Sequence, residues 1–121
     1  MPHLRIEYST NIADRFDPVA VLGAATDALV ASGVFDPPEA VKARLMPVSD
    51  FQVGGGADHG FIHAGLALLS GRDAATKRQV TSALVDAIAP LVAPGPQVVQ
   101  ITSEARDMDR DTYSKRLIPG A

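Results

Sequence analysis

Twice along this chain, a segment of alternating apolar and polar residues leads through a polar loop into a helical apolar face and then returns as an extended segment. Few folds accommodate that plan. In the first half, about residues 3 to 53, Leu4, Ile6 and Tyr8 alternate with His3, Arg5 and Glu7, which predicts a strand with one face on a core. Residues 11 to 18 are turn-like. From Pro18, a residue suited to a first helical turn, Val19, Leu22, Ala25 and Leu29 predict a buried helical face that Gly33 ends. Within residues 40 to 53, Val41, Ala43 and Leu45 alternate with Lys42, Arg44 and Met46, and Pro47 must interrupt that strand or place it at a sheet edge.

The second half, about residues 61 to 103, repeats the plan after the Gly54-Gly55-Gly56-Ala57-Asp58 loop. Residues 61 to 69 predict a strand closed by Ser70-Gly71, and a hairpin with the preceding strand fits. Asp73 is placed to cap a helix carrying Val80, Ala83, Leu84, Ala87, Ile88 and Leu91 on one face, with Pro90 near its end. Pro94-Gly95-Pro96 links to a short β-branched strand at residues 97 to 103, and residues 104 to 116 are charged without a pattern. The order β-α-β-β-α-β predicts an α+β domain. Each half is a crossover with parallel strands, and both helices lie on one face of a four-stranded sheet. Ala43, Ala64 and Ala67, with the charged residues that alternate on these strands, imply that a second copy covers part of the other face.

At 121 residues the chain predicts one domain, with a core at about residues 2–105 and a charged tail at 106–121 that is solvated or lies on a neighbouring subunit. A formal net charge of −3 lacks the basic surplus that phosphate backbones require, so nucleic acid is excluded as a first partner. The absence of Cys removes disulfides and thiolate chemistry. No apolar run is long enough to span a membrane and the N-terminus has no charged lead followed by an apolar run, so a cytoplasmic location without secretory signal or membrane attachment is expected. His59 and His63 have the i, i+4 spacing of a zinc helix, yet their glycine and Phe-Ile context favours a strand and no Glu follows His59, so no metal is expected. The triple glycine lacks a following Gly-Lys-Ser/Thr, and no Gly-x-Ser-x-Gly elbow occurs. Tyr8, Phe51 and Tyr113 are read as core or interface residues rather than a pocket border.

One position stands apart chemically. The chain begins Met1-Pro2, and removal of Met1 would leave Pro2 with a free secondary amine at the start of a strand. An α-amino group titrates near neutrality, so burial or nearby cations would make it a base at working pH. While Met1 remains, the Pro2 nitrogen is an amide and has no such role.

Residues 1–12 (MPHLRIEYSTNI), Ser32-Gly33-Val34-Phe35, residues 58–63 (DHGFIH) and Ser70-Gly71-Arg72 together resemble the 5-carboxymethyl-2-hydroxymuconate isomerase family of the tautomerase superfamily, over about residues 2 to 105. The resemblance implies a homotrimer whose amino-terminal proline, here Pro2, is the acid/base catalyst for ketonisation of a dienol carboxylate without metal or organic cofactor. It also implies a substrate-binding arginine at Arg72. A second family arginine falls on Lys42, which has no bidentate fork, and Arg44 on the same strand face is the alternative. The sequence leaves two other readings open: another proline-based tautomerase or a dehalogenase, which needs an additional carboxylate, and a non-catalytic oligomeric binding protein of the same fold.

Overall fold

Six regular elements follow the sequence in the expected order in the computed structural model, which describes residues 1–56 and 58–121. They are β1 (His3–Ser9), α1 (Pro18–Ala31), β2 (Lys42–Val48), β3 (His59–Leu69), α2 (Ala74–Ile88) and β4 (Val98–Met108). Both helices begin on the aspartates that precede them: Asp17 accepts from the Val19 amide at 3.0 Å, and Asp73 from the Thr76 amide at 2.8 Å. Each carboxylate thereby satisfies an amide with no intrahelical partner. Hydrogen bonding to Thr76 also holds the Asp73 carboxyl below its ordinary range. Gly33, at φ +72°, turns the chain away just beyond α1 in a conformation that disfavours side chains.

The strands form one mixed sheet in the order β2-β1-β3-β4. Within each half the pairing is parallel, β1 with β2 and β3 with β4, and the halves join through antiparallel β1 and β3. The expected hairpin between β2 and β3 does not form. Strand β2 occupies the outer side of β1, so β3 must pair with the side of β1 that remains free. As an edge strand, β2 also tolerates Pro47, which has no amide to donate.

Leu4, Ile6, Ile62, Ala64, Leu66 and Leu68 face the two helices and are buried with Val21, Ala25, Leu29, Val80, Leu84 and Ile88 in one cluster. Burying each of the larger aliphatic side chains contributes about 1.5–3 kcal/mol. The α1 face is rotated from its expected position: Val21 is buried and Val19 is 77% exposed. Apolar residues surround α1, so several helical stripes match its sequence and packing selects among them. Strand β4 continues to Met108, which brings Glu104 and Arg106, assigned above to an unpatterned segment, into regular structure.

The opposite sheet face carries His3, Arg5, Glu7, Arg44, His63 and Glu104 around an open groove of about 420 Å³. Polar pairs cross this face: His63 lies 2.9 Å from Glu104, and Arg5 lies 3.3 Å from Glu7. Among the described residues, no helix is long and apolar enough to cross a membrane.

Candidate active site

Parallel pairing of β1 and β2 assembles the amino-terminal end of the sheet. The register sets His3 beside Lys42, and the Lys42 amide donates to the Pro2 carbonyl at 3.1 Å. Pro2 itself is fully buried. The Met1 amine donates to the Ala40 carbonyl at 3.0 Å, so the chain terminus is held against the segment entering β2. Desolvation, then Lys42, Lys115 and Arg72, bring this amine down from 8.0 to about 6. Each of these influences disfavours the protonated form.

Arg72 reaches this end of the sheet from the corner between β3 and α2. Gly71, at φ +124°, makes the turn that precedes it. The guanidinium donates to the Leu69 carbonyl at 3.1 Å and the Val34 carbonyl at 3.2 Å, and its central carbon lies 5.3 Å from the centre of the buried Phe35 ring. Those contacts fix the guanidinium plane. Of its five N–H donors, three remain for a carboxylate.

Arg44 is placed differently. Its Nη2 lies 3.1 Å from His3 Nδ1 on the open sheet face, and it is not among the groups that lower the terminal amine. The structure thus brings Lys42 and Arg72 to the amine and links Arg44 to this end of the sheet through His3. Because an arginine only donates, His3 Nδ1 must accept, so the neutral ring carries its proton on Nε2. That nitrogen lies 3.0 Å from the Tyr113 hydroxyl oxygen and donates to it. Burial, then Arg44, Lys42 and the terminal amine, lower the His3 pKa and keep the ring neutral.

The sequence reading missed Lys115 and took Tyr113 for a core or interface residue rather than a neighbour of the terminus. Both lie in the irregular segment after β4, and no local pattern connects them with a terminus more than a hundred residues earlier. Tyr8 and Phe51 belong to the other end of the sheet, where Tyr8 meets Phe16 edge-on at 5.0 Å and Phe51 meets Phe61 at 6.0 Å. His59 and His63 lie on one strand, four residues or roughly 13 Å apart, too far to share an ion. Among the described residues, no three His, Asp or Glu side chains converge as a metal site.

The family pattern for 5-carboxymethyl-2-hydroxymuconate isomerase matches residues 2–116, from the buried proline through the tail that returns to it. The chain belongs to this isomerase family. A crystal structure of a 5-carboxymethyl-2-hydroxymuconate delta-isomerase superimposes with a TM-score of 0.81 at 24% identity, over 97% of this chain and 88% of the other. A 5-carboxymethyl-2-hydroxymuconate isomerase from Deinococcus radiodurans R1 gives 0.77 at 22% identity, over 95% and 88%. A fused 4-OT wild-type symmetric trimer gives 0.65 at 25% identity, over 90% and 87%. These likenesses show the tautomerase fold. No curated protein sequence matches the chain significantly.

Proposed function

We propose that this member of the isomerase family is a homotrimeric tautomerase that ketonises a small anionic dienol such as 5-carboxymethyl-2-hydroxymuconate, with Pro2 as acid/base catalyst after removal of Met1. The observation that carries this reading is the buried Pro2 entering β1, beside a Met1 amine that desolvation, then Lys42, Lys115 and Arg72, bring down to about 6. After removal of Met1 the Pro2 amine would stand near the same cations, which would favour its neutral form.

A neutral Pro2 nitrogen takes the proton from the enol oxygen. The electron pair left on oxygen closes the C=O bond, the diene electrons shift, and the proton returns from nitrogen to carbon. One group serves as base and then as acid, so the step needs no metal or organic cofactor. Arg72 is assigned to a substrate carboxylate because its plane is fixed and it retains free donors. Lys42 supplies a second positive charge beside the amine, and Arg44 serves a more distant carboxylate from the open face. The charged groups acting on the amine are all cations, which suits an anionic substrate and its dienolate better than the carboxylate-activated water of a dehalogenase. The trimer is supported by the fused 4-OT neighbour and by the open polar sheet face.

The test is ultraviolet-monitored ketonisation of a 2-hydroxymuconate-type dienol by protein whose intact mass lacks Met1, beside Pro2→Ala and the spontaneous rate. Turnover should fall by about a hundredfold or more in Pro2→Ala, the contribution of a positioned acid/base group. A rate equal to the spontaneous one in the Met1-free protein would sink the proposal. Light scattering at low micromolar concentration should return the mass of three chains, and a monomer would remove the trimer from the reading.

A further inference from the structure

The ends of all four strands meet at the amino-terminal edge: His3 of β1 pairs with Lys42 of β2 and Ala67 of β3, while Leu69 of β3 pairs with Met108, the last residue of β4. After Met108 the chain turns back across this edge instead of leaving it. The Thr112 amide donates to the Asp109 carbonyl at 3.2 Å, and the Asp111 amide donates to the Asp109 carboxylate at 2.9 Å. Arg110 Nε and Nη2 both donate to the Ser70 carbonyl, at 3.1 and 2.9 Å, so this turn is tied to the corner that carries Arg72. From β4 to β1 the distance is two strand spacings, roughly 10 Å. Residues 109–113 span it, and Tyr113 reaches His3.

We infer that residues 110–115 belong to the amino-terminal site, with Tyr113 anchoring the segment on His3 and Lys115 thereby brought in as one of the cations around the terminal amine. Two ties define the crossing, one on each side of it. Arg110 holds the start against Ser70, and the Tyr113 oxygen accepts the His3 Nε2–H. Lys115 follows Tyr113 by two residues and is among the cations whose charge acts on the terminal amine. The groups that face the amine come from every element around it: Lys42 from β2, Arg72 from the β3–α2 corner, Lys115 from the tail and neutral His3 from β1. Lys115 and Tyr113 are positioning residues, since they act on the amine and not on substrate atoms. The catalytic consequence rests on Pro2 being the terminal amine.

The test is an NMR pH titration of the terminal amine at low salt in Met1-free protein, for wild type, Lys115→Gln, Lys115→Arg and Tyr113→Phe. Lys115→Gln should raise the pKa by about 0.3–0.5, as expected for loss of one charge several ångströms away in a largely aqueous dielectric. Lys115→Arg should preserve the wild-type value, whereas a merely structural lysine would not be rescued in this way. Tyr113→Phe should raise the value by a smaller amount, because the anchor is lost and the cation is retained. An unchanged amine in Lys115→Gln overturns the inference, and an unchanged amine in Tyr113→Phe removes the anchor from it. If the amine shifts as stated but the protein shows no ketonisation, the tail's role stands and the proposed reaction does not.

Discussion

The two ends of this sheet share one hydrogen-bonded ladder and are built for opposite purposes. At the end marked by Ser9 and His59, two side chains bond to backbone: the Ser9 hydroxyl accepts the Phe61 amide at 2.9 Å, and Asn11 donates to the His59 carbonyl at 3.0 Å. Gly60 fits there only as glycine, because a Cβ would stand 2.6 Å from Ile12 Cγ2 and 2.9 Å from Ser9 Oγ. At the other end, Lys42, Arg72 and Lys115 gather about an amine. Among the described residues none of the three cations makes an ion pair. Like charges held together cost stability, and an arrangement that retains them favours a site made for an anion over a packing element. The difference teaches where substitutions should act on folding and where they should act on chemistry.

The largest expected effect separates the ends at once: Pro2→Ala should remove about a hundredfold or more of turnover in steady-state assays. Because Pro2 is fully buried, the stability read from the urea midpoint should also fall, by about 0.8 kcal/mol for each buried CH2 removed, too little to explain the loss of turnover. Arg72→Lys should lower kcat/KM by about tenfold to a hundredfold, the equivalent of a lost charge-assisted hydrogen bond, because lysine cannot span both backbone carbonyls and a carboxylate. An unchanged kcat/KM would take Arg72 out of the site.

Gly60→Ala tests the end marked by Ser9 and His59 and should cost about 1–3 kcal/mol by overpacking, read as a lower denaturation midpoint, with the pH dependence of activity intact. A shifted pH profile would mean that the two ends are coupled.

The smallest effect is electrostatic. In protein retaining Met1, the folded amine titrates at about 6 and the unfolded one at 8.0, so the unfolded chain binds more protons between those values. Stability should therefore rise as pH increases through that window, and be lost again as pH falls through the folded value. Denaturant midpoints at pH 5.5 and 8.5 check the sign, and a midpoint that falls with rising pH contradicts it.

Much of the fold could be read locally. The alternation in β1, the Asp73 cap, the glycine after α1 and the Val80, Leu84, Ile88 stripe each depend on residues within a few positions, where side-chain period and backbone satisfaction act directly. Val19 misled because α1 is apolar on several sides. The β2–β3 hairpin misled because adjacency in sequence does not decide which edge of β1 a strand occupies. At the candidate site, Pro2, Arg72 and Lys42 were legible through family resemblance. Tyr113 and Lys115 were not, since a charged tail has no period from which a distant contact can be read.

The sequence by itself determined which segments extend, which coil, and that Pro2 directly precedes a strand, because steric preference and apolar period are properties of neighbouring residues. Only the tertiary structure decided that β1 stands between β2 and β3, and that the tail crosses the sheet edge to bring Tyr113 against His3. Strand order is set by competition for free hydrogen-bonding edges. An amine's proton affinity is set by every charge within several ångströms, whatever its distance along the chain.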